Sequence, residues 1–201
     1  MSPETPIEDI RFILFDTEAT GLNPEKDRII SIGAVALQGG EILSEDTFEA
    51  LVPVEYNTST VIIHGISREQ SRQGIPEGEA LRQFSEYCSD SVLVGFHIKN
   101  DLEMIHAALQ RQGLPLFPQY SLETLFLIYF LEDNAAFSAK GKPGGYTLDA
   151  VADYFGIVTH DRHTASGDAF ITAQIFLRLL RYAQKLNIHT LGQLLAAKPA
   201  E

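Results

Sequence analysis

The stretch RFILFDTEATGL, Arg11–Leu22, opens as an apolar run rich in strand formers and closes on a glycine turn. Arg11–Thr17 is therefore expected to be a buried strand. Alternation along a strand puts Asp16 and Glu18 on one face. They stand at its carboxyl end, where open α/β sheets commonly build their sites. Two adjacent carboxylates repel each other, and a hard divalent cation with oxygen ligands relieves that repulsion. Alone, such a pair also fits a solvated turn with two surface acids. The apolar FILF leading into it favours a site.

Working outward, Ile29–Leu37 reads as a second strand and Gln38–Glu41 as a hairpin-like break. Ile42–Val54 reads as a third strand, antiparallel to the second. Helical spacing of apolar residues follows over Pro76–Ser89, then a buried strand over Ser91–Phe96. Asn100–Gln112 reads as a helix ended by Gly113 and Pro115, and Ser121–Glu132 as one capped by Ser121. The stretch 133–145 is irregular and contains Lys140 and Lys142. It fits a solvated connector, or a flap whose lysines meet substrate phosphate. Thr147–Phe155, Ser166–Lys185 and Leu191–Ala197 are further helices. Three strands, then helices alternating with another strand, predict one α/β or α+β domain with helices on both faces of a mixed sheet. The division expected is an extension over 1–9, a domain over 10–185, and a terminal helix and tail over 186–201.

The 201 residues are 45% hydrophobic and 21% charged, the balance of an ordinary globular protein. The lone cysteine, Cys88, lies in an apolar-periodic run and is expected to be a buried thiol in a reducing cytoplasm. Met1–Asp9 has no basic or apolar region and is not expected to be a signal peptide, and no apolar run approaches the roughly 20 residues of a membrane span. A cytoplasmic protein without a membrane partner is expected. The net charge of −12 argues against passive nucleic-acid binding through a basic face. It does not argue against an enzyme whose bound cations meet a phosphate.

Two further clusters join Asp16 and Glu18. Asp101 follows the strand over Ser91–Phe96 and opens a helix, where an acid also suits the helix dipole. His163 and Asp168 stand at the entry to the longest helix, in HTASGD. Histidine titrates near neutral pH and can take a proton from water.

FDTEATGL (Phe15–Leu22), IHGIS (Ile63–Ser67), LVGFHIKNDLEMI (Leu93–Ile105) and RHTASGDAFITAQIF (Arg162–Phe176) together resemble the DEDDh, or DnaQ-like, 3′-5′ exonucleases. That group includes the proofreading epsilon subunit of bacterial replicative DNA polymerase, ribonuclease T and oligoribonuclease. The resemblance covers roughly Ile10–Tyr182. It implies an α/β, ribonuclease H-like fold with a central five-stranded mixed sheet flanked by helices. It implies that Asp16, Glu18, Asp101 and Asp168 hold two ions, Mg²⁺ or Mn²⁺, and that His163 is the general base. Thr20, Gly21, Leu22 and His64 would meet the substrate, His64 alternatively capping a helix. The implied partner is nucleic acid with a free 3′ end, DNA favoured and RNA the alternative, with a DNA polymerase subunit as a further partner. Monomer and homodimer both occur among such proteins. The second motif departs from the commoner form at Phe96, His97 and Asn100, and Glu123-Thr124-Leu125 stands where Asp-Thr-Leu is common. A non-catalytic binding module would be expected to lack one of the four acids or His163, and all five are present.

Overall fold

Phe12–Ala19 forms the expected first strand, β1, in the computed structural model, which describes residues 1–54, 73–116, 120–136 and 146–199. β2 is Ile29–Gln38 and β3 is Glu41–Leu51, antiparallel neighbours joined through Gly39 and Gly40. Both glycines have positive φ, a backbone that costs a residue with a side chain more. β4 (Val92–Gly95) pairs in parallel with β1, and β5 (Tyr120–Glu123) in parallel with β4. The order is β3-β2-β1-β4-β5, a five-stranded mixed sheet.

The fifth strand corrects the residue-level reading of Ser121–Glu132 as one helix. Tyr120–Glu123 is an edge strand and the helix starts at Thr124, capped by Glu123 rather than Ser121. The strand runs into the helix without a loop. Pairing with β4, a tertiary effect, decides its conformation.

The described α-helices are α1 (Glu77–Tyr87), α2 (Ile98–Arg111), α3 (Thr124–Asp133), α4 (Leu148–Tyr154), α5 (Ala165–Lys185) and α6 (Leu191–Ala196). Alternation along β1 divides them into two layers. Ile13 and Phe15 pack with Leu81 and Phe84 of α1 and Ile105 and Leu109 of α2. Phe12 and Leu14 pack on the opposite face with Ile128 of α3, Val151 of α4, Phe176 of α5 and Leu194 of α6. Phe12 meets Phe176 edge-on at 5.2 Å between ring centres, and Phe15 meets Phe84 at 5.4 Å. Cys88 is buried in the layer of α1 and α2.

The two ends of the chain meet. Ile7 N–H donates to the His189 carbonyl and Leu191 N–H to the Thr5 carbonyl, each at 2.9 Å. Ile7, Leu191 and Leu194 share the core with β1 and α5.

Candidate active site

The alternation that buries Phe12 and Leu14 continues past the core. It carries Asp16 and Glu18 toward α5 and Thr17 toward α2. Thr164 caps α5, its hydroxyl accepting the Gly167 N–H at 3.1 Å, which places Asp168 in the first turn. Gly33 of β2 lies opposite Asp16 in the sheet. A Cβ there would stand 2.2 Å from the Ser166 nitrogen, so the missing side chain is what lets the start of α5 reach the sheet. One carboxylate oxygen each from Asp16, Glu18 and Asp168 consequently lies within 4.8 Å of the others.

Asp101 comes from the other layer and lies outside that trio. Its Oδ1 accepts the Thr17 N–H at 3.0 Å and the Thr17 hydroxyl at 2.6 Å. Thr17, between the two acids of β1, thus ties the fourth acid to the same strand. Asp101 and Glu18 are only 7% and 8% exposed.

Burial first, and then the charges of Asp101, Asp168 and Glu18, hold the Asp16 carboxyl well above its ordinary value, with the Arg162 guanidinium acting against them. Glu18 is pushed up to about 8, by burial and then by Asp168 and Asp101. Asp101 is pushed up to about 7 by burial, against which the Thr17 hydrogen bonds act. The donor set is all carboxylate oxygen, the chemistry of a hard divalent cation. Burial and crowding oppose the ionisation of Asp16, Glu18 and Asp101, and a cation among them would relieve that opposition. The residues present therefore fit a hard divalent cation.

Arg162 bonds Asp168 Oδ2 through Nη1 and takes Asp149 through Nε at 2.5 Å and Nη2 at 3.1 Å. The sequence pattern gave Thr17, Gly33, Asp149 and Arg162 no role. Only Thr17 and Arg162 carried a signal, their adjacency to Asp16 and His163.

His163 is exposed and left-handed, with φ 63, and its N–H donates to Asp168 Oδ1 at 3.3 Å. His163 is thus tied to Asp168 through its backbone. The Thr20 hydroxyl donates to Asp27 Oδ1 at 3.0 Å and accepts the Arg28 N–H at 3.0 Å. A Cβ on Gly21 would lie 2.5 Å from an Asp27 oxygen. Thr20 and Gly21 are thus used to build a turn, and that turn leaves Leu22 89% exposed. His64, Lys140 and Lys142 lie outside the described residues. Among the described residues no helix is long and apolar enough to cross a membrane.

Residues 13–176 match the exonuclease family of the ribonuclease T type. The chain is 32% identical over 201 residues to a DNA polymerase III subunit epsilon-like protein of Rhodobacter capsulatus, covering 96% of this chain and 27% of that protein. It is 30% identical over 197 residues to a PolC-type DNA polymerase III of Thermotoga maritima, covering 96% of this chain and 14% of that one. The chain thus spans about a quarter or less of the length of these relatives. Exonuclease I of E. coli in complex with a dT13 oligonucleotide superposes with a TM-score of 0.72 at 15% identity, over 89% of this chain and 43% of that one. Cell-death related nuclease 4 gives 0.69 at 16%, over 87% and 64%. These structural likenesses show the ribonuclease H-like fold. With the family's pattern running through most of its length, the chain belongs to the ribonuclease T exonuclease family.

Proposed function

We propose that this chain is a divalent-metal-dependent 3′-5′ exonuclease that releases nucleoside monophosphates from single-stranded or mismatched DNA, in proofreading or repair. The observation that carries it is the convergence of Asp16, Glu18 and Asp168 oxygens within 4.8 Å. Asp16, Glu18, Asp101 and Asp168 would hold two ions, Mg²⁺ or Mn²⁺. When bound, the ions supply Lewis acidity to the phosphate and lower the pKa of the attacking water. His163 takes the proton from that water, its exposed position allowing exchange with solvent. Leu22 offers an apolar surface to the terminal base, on the turn held by Thr20 and Gly21. His64 completes the substrate contacts.

The epsilon-like and PolC-type relatives favour DNA and a polymerase partner. Ribonuclease T kinship makes RNA the second reading. The test is digestion of 5′-labelled single-stranded DNA, mismatched duplex and short RNA, side by side, in either metal. The expected result is stepwise shortening from the 3′ end, faster on DNA. Faster RNA shortening selects the second reading, and internal cleavage contradicts both. His163→Ala should lower kcat roughly 10²–10⁴-fold, the usual contribution of general-base catalysis.

A further inference from the structure

Asp101 reaches the cluster from the first turn of α2, and the start of α2 is held by a residue outside that helix. His97, preceding α2, is left-handed with φ 62 and ψ 35 and makes no side-chain cap bond. That conformation is unfavourable for a residue with a side chain, and the first N–H groups of a helix need acceptors. Glu123, the last residue of edge strand β5, supplies them. Its Oε1 accepts the His97 N–H at 3.0 Å and its Oε2 the Ile98 N–H at 2.9 Å. Oε1 also accepts the Leu125 N–H at 3.0 Å, which caps α3. One carboxylate thus bonds the beginnings of two helices.

The sheet register explains the reach. Glu123 pairs with Gly95, the last residue of β4. A Cβ on Gly95 would stand 2.9 Å from the Ile98 side chain, so glycine lets the chain fold back tightly from β4 into α2. Glu123 is then alongside the two N–H groups it accepts.

We propose that Glu123 is a positioning residue of the acid cluster. It fixes the first turn of α2 against β5, while Thr17 holds the Asp101 carboxylate against β1. Asp101 is therefore located from both sides of β4. This rests on the metal-dependent reading of the cluster. The contacts Glu123 makes with 97 and 98 are to backbone N–H groups. The changed side chains at Phe96, His97 and Asn100 can leave that support intact.

Three measurements on Glu123→Gln and Glu123→Asp test it: Mn²⁺ affinity by electron paramagnetic resonance without nucleic acid, kcat and KM on single-stranded DNA, and the thermal midpoint in chelator. Gln keeps the side-chain volume and one acceptor, so the fold should survive. It loses the second acceptor and turns an N–H donor toward other donors. Glu123→Gln should lose about 10–100-fold in Mn²⁺ affinity and in kcat, the scale for residues that orient metal ligands, with KM unchanged. Glu123→Asp, which keeps both acceptor oxygens, should restore both. If Glu123→Gln lowers the thermal midpoint yet binds Mn²⁺ and turns over like wild type, Glu123 is a structural cap and the proposal fails. A folded wild type that binds no Mn²⁺ overturns the metal-dependent reading itself, and the positioning role with it.

Discussion

Glu18 belongs to a cluster whose burial and mutual repulsion push its carboxyl up to about 8. A carboxyl with a higher pKa in the folded chain than in the unfolded one binds its proton more tightly when folded. Its stabilising contribution is full below the unfolded value, 4.5, and is lost as pH rises through about 8. Asp101 behaves alike between 3.8 and about 7. The metal-free protein should therefore lose thermal stability as pH rises from about 5 to about 8. Mg²⁺ or Mn²⁺ should remove that loss, because a cation binds the ionised carboxylates. Melting curves with chelator and with metal across this range check it, and a midpoint that stays level in chelator contradicts it. At this scale the sequence was informative where chemistry was local. Asp16 and Glu18 are two residues apart on one strand, and alternation alone pairs them. Thr17 and Asp101 are 84 positions apart, and nothing near either residue announces the bond between them.

Between elements, the decisive approach is α5 onto β2 at Gly33. An added methyl there meets backbone, Ser166 N at 2.2 Å and Ala165 C at 2.3 Å, not the yielding end of a side chain. Gly33→Ala should force the start of α5 outward and carry Asp168 away from Asp16 and Glu18. Overpacking of this kind costs about 1–3 kcal/mol. The expected outcome is a modest loss in urea stability with a larger loss of Mn²⁺ affinity. A Gly33→Ala protein equal to wild type in both would show that α5 has room to spare. The glycine was silent in the sequence because its partner backbone lies far along the chain. The hairpin of β2 and β3 was legible, since Gly39 and Gly40 mark their own turn. β5 was not, because four residues leading straight into a helix show too little period to separate from it.

Across the whole molecule, a net charge of −12 and a buried acid cluster work against holding a phosphate backbone by charge alone. Within the cluster, Arg162 offsets part of this by pairing with Asp168, and its other side is held by Asp149. Divalent ions can do what that single guanidinium cannot: neutralise the acids and present positive charge to the substrate at the same place. The acidic composition, the fold that brings two layers of carboxylates to one strand, and the exonuclease family match are what support the proposed metal-dependent chemistry at a chain terminus. The most direct test is shortening of a 5′-labelled single-stranded DNA by wild type, Asp16→Ala and Asp168→Ala, in Mn²⁺ and in chelator, with folding verified by circular dichroism. The account predicts mononucleotide release from the 3′ end by wild type in Mn²⁺, and none in chelator or from either folded variant. Wild-type rates from a folded Asp16→Ala or Asp168→Ala protein, or undiminished activity in chelator, would contradict it.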